Sequence, residues 1–135
     1  MPVPLILLVG LHLAAGLFWF FWSALLGWGG NPGASRTLYR PQMIASVLAV
    51  FSGGGLWQLL HVGAYGRPEQ VLSLGALAAL AAAGVQGSMV GGSVRRIKAG
   101  EPAEGALIAR IVKGQRIGAG LLAFTLATMI VERFV

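Results

Sequence analysis

Four long apolar runs, Val3 to Leu26, Gln42 to Tyr65, Gln70 to Val94 and Gly105 to Val131, make up most of the chain, and short segments rich in Gly, Pro, Arg and Glu separate them. Each run reaches the ~20 residues that an α-helix needs to cross the hydrocarbon of a bilayer. None alternates polar and apolar positions as a barrel strand does, and a backbone in lipid must satisfy its amides within its own segment, so the pattern predicts helices. The expected fold is all-α: one polytopic membrane domain over residues 1–135, an antiparallel bundle of four transmembrane helices. The first run has no basic segment before it and is too long for a secretory signal, so it is expected to remain as a span.

The breaks between runs carry their own signals. Residues 27–41 hold Gly29, Gly30, Asn31, Pro32 and Gly33, then Arg36 and Arg40, and Pro41 stands where a helix can begin without losing an amide bond. In the second break Gly66 is suited to end a helix in the left-handed conformation, Pro68 to open the next, and Glu69 to its positive end. Beyond the third run, Arg95, Arg96 and Lys98 continue the helical pattern before Gly100, Glu101 and Pro102 interrupt it. Arg110, Lys113 and Arg116 then recur at i, i+3 and i+6, on one face of the fourth helix. Residues 95–113 thus read as a basic helical hairpin projecting from the membrane.

Composition sharpens this picture: 56% of the residues are hydrophobic and 10% are charged, against about 25% charged in an average soluble domain. The chain has no cysteine, which excludes disulfides, thiolate metal sites and thiol redox chemistry. Its net charge of +6 gathers beside span ends, where anionic lipid is the expected partner and nucleic acid is not. Arg36, Arg40, Arg95, Arg96, Lys98, Arg110 and Lys113 fall on the side of the first and third loops, and Arg67 and Arg133 on the other. By the positive-inside rule, residues 27–41 and 95–105 face the cytoplasm and both termini face the periplasm or outside of a bacterial inner (plasma) membrane.

Small residues recur at close-packing intervals, as in Gly87 with Gly91 and Gly114 with Gly118. Such pairs serve helix packing, within the bundle or toward a second copy or a complex partner; the other reading is clearance for a flat ligand. Gly53, Gly54 and Gly55 stand together in the second run, where each weakens a helix by about 1 kcal/mol in soluble hosts, so the run calls for a compensating reason.

The only two histidines, His12 and His61, both fall in apolar runs, where an ionisable group is a functional hypothesis by default. On antiparallel neighbours they come to roughly 10 Å and 6 Å below one surface at ~1.5 Å per residue. Two neutral imidazoles at similar depth suit the iron of a b-type haem, with Gly16 and Gly54 giving clearance and Trp19 and Trp57 flat apolar walls. The bland alternative is that each histidine hydrogen-bonds to a neighbouring helix. A copper site with a methionine fits less well, because Met43 and Met89 fall toward the opposite end. A second polar set, Gln86, Gln115 and Arg116, falls in the inner half of the bundle; Arg116 either snorkels to the interface or joins the glutamines in a polar pocket for an anion.

The stretch Leu11 to Trp19, with His12 followed by Trp19, resembles the first span of the HemJ-type protoporphyrinogen oxidases and the related CopD-like membrane proteins. The likeness extends to four spans in about this length, an arginine-bearing first loop, and a third span running into Gly91, Gly92, Ser93, Val94, Arg95, Arg96, Ile97 and Lys98. The resemblance implies a haem-b protein with His12 as an axial ligand, passing electrons from a reduced, membrane-soluble substrate toward a redox partner or quinone. The lysine that the family carries within its third span has no counterpart, since the third run holds Gln86 but no basic residue before its exit, so the substrate stays open. The rival functions are a non-enzymatic membrane subunit or assembly factor, and a small channel or carrier, the latter disfavoured by the lack of a carboxylate within the spans.

Overall fold

A computed structural model describes residues 2–135, which are helical throughout most of their length and form no strand. Helix α1 is Val3–Trp28. A 3-10 turn at Pro32–Ala34 leads into α2, Ser35–Leu60. The third long unit, Arg67–Lys98, consists of α3 (Arg67–Val85), a π-helical segment (Gln86–Val90) and α4 (Gly91–Lys98). Helix α5 is Ala106–Val131, followed by a 3-10 turn at Glu132–Phe134. All four long units are long and apolar enough to cross a membrane.

The helix boundaries differ from the apolar runs where polar residues take part in helices. Helix α2 starts at Ser35 and carries Pro41 inside it rather than at its head, because Arg36, Thr37, Tyr39 and Arg40 are helical without being apolar. The same helix ends at Leu60, so His61 is its C-cap, with φ −127° and ψ 12°. The reversal that follows uses Gly63 at φ +75°, a conformation that costs a residue without a Cβ little. Gly66, expected to make that turn, is extended at φ −108° and precedes α3. Pro68 and Glu69 occupy the first turn of α3 as the sequence suggests.

The π-helical segment corrects a drift in the buried face of the third unit. Ala78, Ala82, Gln86, Val90 and Val94 are all buried, at strict four-residue steps. Since an α-helix turns about 100° per residue, each such step rotates the side chain by about 40°, and a stretch of wider turns brings the later residues back to the core.

Helix α1 packs between α2 and α5, and α5 between α1 and α3, while α2 and α3 touch sparingly. Ala15, Trp19, Ala45, Ala49, Ala82 and Leu122 form the central cluster; Val90, Val94, Ile97, Leu107 and Ile111 form a second one toward the basic end. The predicted small-residue pairs largely serve this internal packing. A Cβ on Gly118 would run into Gln86, one on Gly114 into Met89 and Val90, and one on Gly91 into Tyr39, whereas Gly87 faces open space. The contacts of Tyr39 with Gly91 and of Gly27 with Arg116 bring the first and third connections to one end of the bundle.

The distribution of polarity is inverted relative to a protein in water. Phe51 is 76% exposed, Leu7 68% and Leu77 63%, while Gln42, Gln86, Gln115, Ser23 and Ser93 are at most 1% exposed. An apolar exterior of this extent is a liability in water and a match for lipid tails, and it leaves the core as the place where polar groups find one another.

Candidate functional site

His12 projects from α1 onto α2. Its Nδ1 lies 2.9 Å from the Ala49 carbonyl oxygen and 3.1 Å from Ser52 Oγ. A carbonyl oxygen only accepts, so Nδ1 carries the proton of this bond. The glycine run makes the approach possible. A Cβ on Gly53 would stand 3.0 Å from His12 Cε1 and one on Gly55 3.2 Å from Leu8 Cδ2, while Gly54 faces open space. Two of the three glycines are therefore compensated by close packing of α1 against α2, and the ring is held by both backbone and side chain.

His61 is placed differently. At the end of α2 its Nδ1 lies 2.7 Å from Glu69 Oε1, and the other carboxylate oxygen accepts the Gly66 amide at 2.8 Å. Glu69 thus closes the first turn of α3 and fastens the end of α2 to it, an acidic residue at the positive end of a helix. Trp57 flanks His61, its ring centroid 5.6 Å away. His12 packs at Gly53, and His61 follows eight residues later, about 12 Å farther along the axis. The two imidazoles are each fixed by their own partner and do not converge on a common point.

The strongest polar feature joins all four long helical units. Gln42 of α2 and Gln115 of α5 donate to each other's side-chain oxygens at 2.8 Å and 3.0 Å. Gln86 donates to Ser23 Oγ at 2.7 Å and to Gln115 Oε1 at 3.1 Å, and it accepts the Trp19 indole N–H at 2.6 Å. Ser23 also accepts from Gln42 and donates to the Trp19 carbonyl oxygen; Gln115 donates to Ser35 at 3.4 Å. No buried side-chain polar atom among the described residues lacks a partner. An unsatisfied amide in a dry core costs ~1–3 kcal/mol, so these residues specify how the four long helical units fit together.

Three expectations are corrected by this arrangement. Gln86 and Gln115 do meet, but in a closed network rather than an open pocket. Arg116 does not join them: its Nε donates to the Gly27 carbonyl oxygen at 2.7 Å and its guanidinium lies 5.6 Å from the Trp28 ring centroid. Trp19 is 1% exposed, committed to Gln86 in the core instead of walling a ligand beside His12. Gly16, one turn from His12, and Gly54, on the outer face, both stand against open space. Gln42 and Ser23 were missed because each stands near one end of an apolar run, where a single polar residue reads as a boundary.

No group of three or more His, Cys, Asp or Glu residues suited to a metal ion occurs among the described residues. No family model matches the chain, and neither a curated protein nor a solved structure matches it.

Proposed function

We propose that this chain is an antiparallel four-span protein of the bacterial inner membrane that binds haem b through His12 and takes part in electron transfer or in oxidation of a membrane-soluble substrate. The observation that carries the reading is the hydrogen bond from His12 Nδ1 to the Ala49 carbonyl oxygen. A histidine that ligates a metal characteristically donates its second ring N–H to a carbonyl or carboxylate, which fixes the tautomer and aims the free nitrogen. Gly16, with nothing near the position of its Cβ, gives room beside the ring. His12 alone would hold the haem, because His61 is turned to Glu69 and stands about 12 Å farther along α2.

Haem bound at His12 supplies one-electron chemistry. The residues of the chain hold and orient: Ala49 and Ser52 fix the imidazole, Gly53 admits it between α1 and α2, and the apolar exterior excludes water. The basic first and third connections face the cytoplasm in this reading, which puts His12 in the opposite half of the membrane.

Purification in mild detergent from cells supplied with haem precursor tests the proposal directly. A Soret band that is retained in His61→Ala and lost in His12→Ala is the expected result. Absence of any haem spectrum, or a spectrum indifferent to His12→Ala, sinks the assignment and leaves a membrane subunit without a cofactor as the reading.

A further inference from the structure

Between the exit of α4 and the first turns of α5 lies a cleft of about 630 Å³, at the end of the bundle where the basic residues gather. Its floor is apolar, with Met89 and Leu107 among its residues, and its rim carries Arg96, Arg110 and Lys113. Arg96 is committed to Glu101, with contacts of 3.0 Å and 3.1 Å. Arg110 and Lys113, one turn apart on α5, have no ion-pair or hydrogen-bond partner for their side chains among the described residues. The carboxylate of Glu104 also borders the cleft, so the two free cations outnumber the acidic groups left unpaired there.

We infer that this cleft binds the phosphodiester of an anionic glycerophospholipid, with Arg110 and Lys113 on the phosphate and an acyl chain running over Met89 and Leu107. This rests on the membrane placement proposed above but not on haem. Two neighbouring cations over an apolar floor match a lipid, which presents negative charge and hydrocarbon side by side; a free phosphate has no use for the floor. The positive-inside rule sets these residues at the leaflet rich in such lipids, and each cation near that surface is worth a severalfold gain in affinity. Arg36 and Lys98 lie at the same end but outside the cleft lining, which makes them the appropriate controls.

The test uses the full chain in detergent with equimolar dioleoylphosphatidylglycerol and dioleoylphosphatidylcholine, with bound lipid counted by native mass spectrometry. The expected preference for phosphatidylglycerol is about thirtyfold for two cations. Arg110→Gln with Lys113→Gln abolishes it, while Arg36→Gln with Lys98→Gln, an equal loss of charge, leaves it. Equal loss in both double variants, no preference in the parent protein, or displacement of the lipid by millimolar inorganic phosphate overturns the inference. Flotation of the parent protein with liposomes is measured alongside: failure to float removes the membrane placement itself, whereas flotation without lipid preference removes only the cleft.

Discussion

Gln42 and Gln115 face each other as a reciprocal amide pair, each side chain donating to the other's oxygen at 2.8 Å and 3.0 Å. Gln86 and Ser23 close the pair on one side and Ser35 on the other. Replacing one glutamine by Met, similar in length, removes both bonds of the pair; without Gln115 the buried Gln42 oxygen loses its one donor, and without Gln42 the Gln115 amide keeps only Gln86 and Ser35. Gln42→Met and Gln115→Met are each expected to cost about 1–3 kcal/mol, and the double variant less than their sum by about 0.5 kcal/mol or more. Unfolding of the detergent-solubilised protein by a denaturing detergent measures all three; strict additivity shows that the two amides are independent.

Gly53 and Gly54 are adjacent, yet their environments oppose each other, with the His12 ring against the first and open space beside the second. Alanine raises helix propensity at both sites by about 1 kcal/mol. At Gly54 that gain is expected to appear as unchanged or higher stability. At Gly53 the added methyl displaces an imidazole that is fixed by Ala49 and Ser52, so Gly53→Ala falls below Gly54→Ala by roughly 1–3 kcal/mol. Thermal unfolding in one detergent compares them, and equal midpoints contradict the packing of His12 on α2.

Most of the helical layout was legible because long apolar runs show long helices directly. The start of α5 at Ala106 lies one residue from the start of its run, and the basic exit of the third unit is helical as its periodicity suggests. Legibility failed where helices continue through polar residues, as at Ser35–Arg40, and at the π-helical segment, whose only trace is a four-residue spacing of buried positions. The site was legible by residue type more than by pairing. The histidines and two glutamines stood out as polar residues in apolar runs, but their partners are a backbone carbonyl for His12 and, for Gln86, an indole N–H whose ring reads as apolar. Such partners are set by helix rotation and register, which a run of similar apolar letters does not define.

Glu69 links two elements through one carboxylate, taking His61 on one oxygen and the Gly66 amide on the other. Glu69→Ala removes both bonds and is expected to cost about 1–2 kcal/mol, as the loss of a helix cap does. Glu69→Gln keeps an oxygen acceptor and loses less. Hydrogen exchange at the start of α3 reads the effect locally: faster exchange of the first-turn amides in Glu69→Ala than in Glu69→Gln is the expected order. Identical exchange in both variants shows that the carboxylate does not fasten this turn.

Arg116 distinguishes a clamp on the end of α1 from membership in the glutamine network. Helix α1 has no basic residue in its own last turn, and Arg116 supplies the missing donor from α5 by bonding to the Gly27 carbonyl oxygen while its guanidinium lies near Trp28. Arg116→Leu is expected to lose about 1–2 kcal/mol, with faster exchange confined to the connection after α1. Arg116→Lys recovers only part of this, because an ammonium has no planar face to lay against the indole. Since Arg116 shares no hydrogen-bond partner with Gln115, the costs of Arg116→Leu and Gln115→Met are expected to add within about 0.5 kcal/mol. A larger coupling places Arg116 in functional contact with the glutamines and restores the polar-pocket reading that the observed side-chain directions argue against.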